Sequence, residues 1–125
     1  MQKTLVFEKT NNSPAVLMDA EKGIFNISGT SFLEDTVSFY IPIMKWIEEF
    51  QLDPKDLTIN VELTYFNSSA AKILITALKD IKVITKKGFK LTVNWMYTDD
   101  DEDIRDSGND FSKLTGIDFN MIEKQ

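Results

Sequence analysis

The sequence contains neither cysteine nor histidine. Their absence excludes disulfides, thiolate nucleophiles, imidazole bases and metal sites built from these two residue types. A glycine-rich phosphate loop and a G-x-S-x-G nucleophile motif are missing as well. We therefore predict no catalytic residue, no metal and no cofactor. Paired carboxylates such as Asp101 and Asp103 leave a carboxylate-based enzyme as the lesser alternative.

Long apolar runs and excess basic charge are also lacking. No stretch approaches the roughly 20 apolar residues that span a bilayer, and the N-terminal MQKTLVFEKTNN has no signal-peptide core. The 14 basic residues are outnumbered by 20 acidic ones, so the net charge is −6 and the pI is near 4.6. Such a chain is repelled by nucleic acids and by anionic membranes. We expect a cytoplasmic protein with neither nucleic acid nor membrane as a partner.

The clearest organised stretch is residues 57–86. From Leu57 to Tyr65 every odd position is apolar and every even position is polar, which predicts a strand with one buried face. After a four-residue corner at 66–69, apolar residues recur at helical spacing as far as Ile84. Asn and Ser in the corner are typical helix N-caps, because their side chains accept hydrogen bonds from first-turn amides.

The other elements follow from the same kinds of signal. We predict strands at 5–7, 15–18, 24–28, 89–95 and 117–121, with a hairpin turn at 21–23. Residues 28–31 have loop chemistry. One helix ends near Phe50 with Pro42 placed in its first turn, because an interior proline loses a hydrogen bond. Another covers 104–114 and is weakened by Gly108.

The alternation of apolar and polar residues in the strands indicates how the sheet is covered. Strands covered on both faces read as continuous apolar runs, whereas these alternate, so helices should cover mainly one face. We predict one α/β domain over residues 1–125, with two layers and a mixed sheet of about four to six strands. The strands at 57–65 and 89–95 flank a helix and should be parallel. The corner at 66–69 and the segment 97–103 then share one sheet edge, where open α/β sheets place functional sites.

The acidic run at 99–103 imitates the start of a calcium loop. Position six of that loop requires glycine and position twelve a glutamate, but Ile104 and Asp110 stand there. We therefore interpret the run as a solvated acidic face or a docking patch, with weak magnesium binding as a minor alternative.

Six pieces of the sequence, in order and at matching spacing, resemble the SiaC family of bacterial regulatory phosphoproteins. They are Ile27-Ser28-Gly29, Phe39-Tyr40-Ile41-Pro42 through Trp46, Tyr65-Phe66-Asn67-Ser68-Ser69-Ala70-Ala71-Lys72, Trp95-Met96-Tyr97, Asp100-Asp101-Glu102-Asp103 and Gly108-Asn109-Asp110-Phe111. The resemblance extends over most of the chain. It implies a STAS-like fold, as in anti-sigma factor antagonists: a small sheet with helices packed on one side.

The resemblance also implies a function. In the family, a hydroxyl at the start of the helix after a central strand is phosphorylated by a partner kinase and dephosphorylated by a PP2C-type phosphatase. The phosphorylation state selects the bound partner, one of which is a diguanylate cyclase in cyclic di-GMP signalling. The family position, usually threonine, is Ser68 here, and Ser69 is the alternative acceptor. Without the resemblance, either serine would be interpreted as a plain helix cap.

We expect the partner-docking surface to surround this position and to use the acidic run. Its predicted members are Tyr65, Phe66, Asn67, Lys72, Tyr97, Asp99, Asp100, Asp101, Glu102 and Asp103. A constitutive adaptor without phosphorylation would use the same surface and remains an alternative. The oligomeric state stays open.

Overall fold

The computed structural model describes residues 2–124. Its strands are β1 (Leu5–Phe7), β2 (Ala15–Asp19), β3 (Ile24–Ser31), β4 (Leu57–Phe66), β5 (Leu91–Thr98) and β6 (Phe119–Lys124). Its helices are α1 (Thr36–Leu52), α2 (Ser68–Ile81), α3 (Val83–Lys86) and α4 (Glu102–Thr115). None of the helices in this part of the chain is long and apolar enough to cross a membrane.

All six strands form one sheet in the order β1-β2-β3-β4-β5-β6. The β1–β2 and β2–β3 pairs are antiparallel, and the remaining three pairs are parallel. The predicted mixed sheet and the predicted β2–β3 hairpin are therefore confirmed. Because β3, β4, β5 and β6 run in one direction, their last residues lie on the same side of the sheet. We call this side, with Ser31, Phe66, Thr98 and Lys124, the C-terminal edge.

One face of the sheet carries the core. Ile27, Val61 and Trp95 occupy one row across the three central strands, and each is almost fully buried. The apolar sides of α1, α2 and α4 belong to the same core cluster. The two-layer arrangement predicted from strand alternation is thus confirmed.

The opposite face carries a ladder of asparagines. Asn26, Asn60, Asn94 and Asn120 are register partners on four neighbouring parallel strands. The side-chain amides of Asn60, Asn94 and Asn120 each donate to the side-chain oxygen of the preceding asparagine, at 2.8, 2.8 and 3.0 Å. A slip of any strand by one residue would break the ladder, so these hydrogen bonds help to fix the register.

The prediction of a loop at residues 28–31 is wrong. β3 continues to Ser31, because Thr30 and Ser31 pair with Tyr65 and Phe66 on β4. The Ser31 side chain is fully buried, and its hydroxyl forms a 2.9 Å hydrogen bond with the Tyr40 hydroxyl of α1. A buried hydroxyl is tolerated when it is paired in this way.

The predicted continuation of the buried face to Tyr65 is also wrong. Gly29 pairs with Leu63 and Thr30 with Tyr65, so Thr64 is an extra residue on β4. Such a bulge reverses the alternation beyond it. Tyr65 is therefore 50% exposed. Phe66 turns inward instead, with its ring centroid 6.3 Å from that of Trp95.

Pro42 lies in the interior of α1. The prediction that it lies in the first turn is therefore wrong. The helix begins one turn earlier, where the Asp35 carboxylate accepts a 3.1 Å hydrogen bond from the Ser38 amide. Hydrogen bonds from the Ser38 hydroxyl and amide hold the pKa of Asp35 below its usual value. Burial of the apolar side of α1 outweighs the hydrogen bond that the proline forfeits.

The other helix boundaries also differ from the prediction. The corner before α2 is shorter than predicted, since Asn67 alone separates β4 from α2. The long second helix is divided at Lys82 into α2 and α3. The last helix begins at Glu102 rather than Ile104. These shifts of a few residues are common at helix ends.

Candidate docking site at the N-terminus of α2

Ser68 and Ser69 are the first two residues of α2 and lie at the C-terminal edge of the sheet. Both side chains are exposed. Neither hydroxyl makes a hydrogen bond to any residue within 2–124. The cap is supplied by Asn67, so the interpretation of either serine as the cap is wrong. Both hydroxyls are available to an external partner.

Asn67 holds this corner in place through three hydrogen bonds. Its backbone amide donates to the Ser31 carbonyl at 3.1 Å, and its side-chain amide donates to the Leu33 carbonyl at 3.4 Å. Its side-chain oxygen accepts from the Ala70 amide at 2.9 Å. The start of α2 is thereby tied to β3 and to the segment that leads into α1.

Electrostatics distinguish α2 from the other helices that begin at this edge. The N-cap of α1 is Asp35, and α4 has Asp101 as its cap with Glu102 and Asp103 in the first turn. The cap of α2 is neutral, and its first turn contains no acidic residue. The positive end of the helix dipole is therefore uncompensated at α2, which favours an added anion.

The acidic run is divided between a turn and the start of α4. Asp99 and Asp100 follow β5, and the Asp100 carboxylate accepts a 2.8 Å hydrogen bond from the Thr98 hydroxyl. The Asp101 carboxylate accepts one from the Ile104 amide at 3.0 Å. Glu102 and Asp103 are exposed. Within residues 2–124, no three acidic side chains are grouped so that they could hold a metal ion.

The aromatic residues predicted for docking take different positions. Tyr65 stands at the surface, whereas Phe66 and Tyr97 are partly buried and pack against the core. The ring centroids of Phe66 and of Phe111 on α4 are 5.5 Å apart. Lys72, one turn after Ser68, is exposed on α2. Of these three aromatic residues, Tyr65 alone is exposed to a partner, with half of its surface accessible.

Three apolar residues near this site were not identified from the sequence. Phe32 is 58% exposed, and its ring packs edge-on against Tyr65 at 5.6 Å between centroids. Val37 and Ile41 on α1 are 61% and 45% exposed. A usable signal was present, because the two aliphatic residues recur four apart outside the buried stripe of α1.

Val37 and Ile41 line a groove between α1 and α2. Its volume is about 230 Å³. The lining residues are Val37, Tyr40, Ile41, Met44, Lys72, Ile73 and Thr76. Because Lys72 lies one helical turn from Ser68, the groove begins about one turn of α2 away from the predicted phosphorylation site.

Known structures share this fold. The crystal structure of apo-SiaC from Pseudomonas aeruginosa matches with a TM-score of 0.87 and 21% identity, over 96% of this chain and 98% of that chain. A chain in the crystal structure of the diguanylate cyclase SiaD in complex with its activator SiaC, also from P. aeruginosa, matches with a TM-score of 0.89 and 21% identity. This second match covers 96% of this chain and 99% of that chain. These similarities establish the fold.

Comparisons at the level of sequence add to this structural similarity. A curated protein of P. aeruginosa strain UCBPP-PA14, uncharacterised in function, is 23% identical over 111 residues, which is 88% of each chain. The family model for the SiaC family regulatory phosphoprotein matches residues 7–124. This match spans nearly the whole chain and confirms the resemblance seen in the sequence motifs. The protein belongs to the SiaC family of regulatory phosphoproteins.

Proposed function

We propose that this protein is a non-enzymatic signalling switch in which phosphorylation of Ser68 controls the binding of partner proteins. The proposal rests on the exposure and the electrostatics of the α2 N-terminus. Ser68 is exposed there, its hydroxyl is not needed as a cap, and neither the cap nor the first turn is acidic. A phosphate would meet free amides and the positive end of the helix dipole.

The energetics favour a switch at the surface over a rearrangement of the fold. An anion at an exposed helix N-terminus gains only about 0.3–1 kcal/mol, too little to remodel a domain. In a docked interface the same dianion must lose water, at a cost of several kcal/mol unless it is paired. Since about 1.4 kcal/mol changes affinity tenfold, that cost is enough to dissociate a micromolar complex.

The proposal requires three kinds of partner. A protein kinase adds the phosphate, a PP2C-type phosphatase removes it, and a diguanylate cyclase is the target whose binding is controlled. The cyclase assignment is supported by the crystal structure in which SiaC of P. aeruginosa is bound, as an activator, to the diguanylate cyclase SiaD. The predicted docking residues that remain exposed around Ser68 are Tyr65, Lys72 and the acidic side chains at 99, 100, 102 and 103.

A constitutive adaptor is the second candidate. The exposed Phe32–Tyr65 pair favours it, because this contact surface exists without any phosphate. The adaptor and the switch differ in one respect: only the switch changes partner affinity when Ser68 is modified.

The phosphorylation site is tested by intact mass measurement and peptide mapping. The protein is purified from its own host with phosphatase inhibitors, beside Ser68→Ala and the matched control Ser69→Ala. We expect one phosphate on the wild type and on Ser69→Ala, and none on Ser68→Ala. If Ser68→Ala still carries a phosphate, the acceptor is Ser69 or another residue. Its absence from all three proteins across growth conditions would favour the adaptor.

The consequence for binding is tested with the host's diguanylate cyclase. Calorimetric titration compares the phosphorylated protein with the unmodified protein. The switch predicts that phosphate weakens this complex by at least about tenfold, consistent with an unpaired buried charge. Equal affinities would contradict it.

A further inference from the structure

We infer that this protein forms a two-fold symmetric dimer in which β6 of one copy pairs antiparallel with β6 of a second copy, about an axis at Met121. The interface lies at the outer edge of the sheet and includes no residue of the proposed phosphorylation site. The inference therefore does not depend on the proposed function.

β6 is an open edge strand. It is the last strand in the sheet order, and within residues 2–124 it pairs with β5 alone. Its side chains at Asn120, Ile122 and Glu123 are exposed. Natural sheets usually shorten or cover an edge strand, because its free amides and carbonyls pair readily with another strand. β1, at the opposite edge, is only three residues long, whereas β6 has six residues.

The backbone alternation along β6 shows which residues offer free groups. The Phe119 amide donates to the Ser112 hydroxyl at 3.3 Å and therefore points away from β5. Backbone groups of successive strand residues point to opposite sides, so those of Met121 and Glu123 point outward like those of Phe119. Residues 119, 121 and 123 thus form an outward row of amides and carbonyls.

The symmetry of this row selects a second copy of the chain as the occupant. Residues 119 and 123 are placed evenly about Met121, so a two-fold axis there brings each outward residue opposite another outward residue. Asp118 then lies opposite Lys124 of the second copy, and both side chains are exposed. Opposite charges across antiparallel strands are stabilising, whereas parallel pairing in register would set Asp118 beside Asp118.

The length of the other edge favours a closed dimer over a filament. A filament would require β6 of one copy to pair with β1 of the next. Since β1 offers three residues, it would leave half of β6 without a partner. Pairing of β6 with itself uses the same surface on both copies, which closes the assembly at two.

The position of α4 adds a second contact to the pairing of the strands. A Cβ atom on Gly108 would lie 2.5 Å from the Trp95 ring and 2.8 Å from the Met121 side chain. Trp95 and Met121 are register partners, so α4 passes above the line midway between β5 and β6. That line is one strand spacing, about 4.8 Å, from the two-fold axis. The two α4 helices are then about 10 Å apart, a distance at which helices pack.

The side of α4 that faces the axis suits this approach. Ser112 lies on that side, because its hydroxyl accepts from the Phe119 amide of β6. Arg105, seven residues earlier, shares the same side of the helix. A small hydroxyl and a cation allow two antiparallel copies of α4 to meet without repulsion between carboxylates.

The dimer is tested by sedimentation equilibrium from about 10 µM to about 1 mM, where weak complexes of small interface are populated. Glu123→Pro removes an outward amide, which an edge strand tolerates, and should weaken the dimer by at least about tenfold. The control Glu123→Ala removes the same charge but keeps the amide, so it should dimerise like the wild type. Near-ultraviolet circular dichroism checks that both variants are folded. A wild-type monomer at every concentration, or equal affinities of the two variants, would overturn the inference.

The register is tested with single cysteines, since the chain contains none. About an axis at Met121, residue 120 lies opposite residue 122 of the second copy, with Cα atoms about 4.5 Å apart, within disulfide range. Two copies of the same position are about 8 Å apart, beyond it. A mixture of Asn120→Cys and Ile122→Cys should therefore form a disulfide dimer under mild oxidation, and neither variant should do so alone.

A matched cysteine controls the crosslinking experiment. Leu17 on β2 is 38% exposed, as Ile122 is 39% exposed. Leu17→Cys mixed with Asn120→Cys should remain monomeric. If this control, or either β6 variant alone, crosslinks as readily as the mixture of the two β6 variants, the axis at Met121 is wrong.

The outcomes separate the dimer from the proposed function. Antiparallel pairing directs the C-terminal edges of the two copies to opposite ends, which leaves both Ser68 hydroxyls exposed. Ser68→Ala should therefore dimerise like the wild type, and loss of its dimer would contradict the inferred interface. If Glu123→Pro is monomeric and is still phosphorylated on Ser68, both proposals stand. If the wild type is monomeric but phosphorylated, the dimer fails and the switch stands.

Discussion

At the scale of single residues, buried polar groups hold the candidate site in position. The Tyr40 hydroxyl reaches from α1 to Ser31 at the end of β3, and Asn67 bonds to the carbonyl of the same serine. Ser31 therefore links α1, β3 and the start of α2. Burial raises the pKa of the Tyr40 phenol, because the charged form loses its hydration, and the hydrogen bond with Ser31 offsets this in part.

The raised pKa of Tyr40 predicts a dependence of stability on pH. The phenol holds its proton more tightly in the folded state than in the unfolded chain, whose pKa is about 10. Its contribution to the unfolding free energy is therefore constant below about pH 10 and is lost as the pH rises through the folded-state pKa. In Tyr40→Phe the unfolding free energy should therefore fall less steeply at alkaline pH than in the wild type. Urea unfolding from pH 8 to 11 measures this difference.

Two further comparisons control the Tyr40 experiment. At pH 8, the free energy of unfolding of Tyr40→Phe should be about 1–3 kcal/mol lower than that of the wild type, because the Ser31 hydroxyl is left unpaired in the core. Tyr65→Phe, at a half-exposed ring, should keep the wild-type decline. An identical alkaline decline in Tyr40→Phe and the wild type would remove Tyr40 as its source.

At the scale of elements, the packing of α4 on β5 depends on the absence of a side chain at Gly108. A Cβ atom there would lie 2.5 Å from Cδ1 and Nε1 of Trp95 and 2.8 Å from Cε of Met121. The Trp95 indole donates to the Ile104 carbonyl at 2.9 Å, which holds the ring under the helix. Gly108 thus permits the close approach of α4, although glycine weakens a helix by itself.

This packing predicts that Gly108→Ala destabilises the protein. Overpacking costs about 1–3 kcal/mol, which exceeds the gain of about 1 kcal/mol in helix propensity. The change is measured by chemical unfolding together with the near-ultraviolet circular dichroism of Trp95. Asn109→Ala, at the next and exposed position of α4, is the control and should be neutral or slightly stabilising. A Gly108→Ala protein more stable than the wild type would refute the packing argument.

At the scale of the whole molecule, parallel strands bring separate helix starts to one edge. β3, β4 and β5 end there, and α1, α2 and α4 begin there. Two of these helices start with aspartate caps, and α2 starts with asparagine. The molecule thereby presents one uncompensated helix end between two acidic ones.

This arrangement predicts that phosphorylation leaves the fold nearly unchanged. Phosphate on exposed Ser68 should raise the unfolding free energy by no more than about 1 kcal/mol, as expected for an anion at a helix N-terminus. Chemical unfolding and hydrogen exchange of phosphorylated and unmodified protein provide the measurement, with Ser68→Ala as a mock-treated control. A change above about 2 kcal/mol, or altered exchange in β1 and β2, would instead indicate remodelling of the domain.

The sequence alone determined the features that depend on one element at a time. Alternation at 57–63 predicted the central strand, helical spacing at 74–81 predicted α2, and the Asn and Ser residues between them predicted a capped helix start. Each of these patterns is local, because burial along a strand or helix repeats with a fixed period. The motifs that resemble the SiaC family were likewise readable from residue order.

The tertiary structure decided what depends on two elements at once. The bulge at Thr64, which turns Tyr65 outward, exists only in the register of β4 against β3. Ser31 lies in a strand because it pairs with Phe66 of β4, and its buried hydroxyl is satisfied by Tyr40 of α1. Val37 and Ile41 become a groove beside Lys72 only when α1 packs against α2. Contacts between residues distant in the chain leave no period in the sequence, so packing alone fixes them.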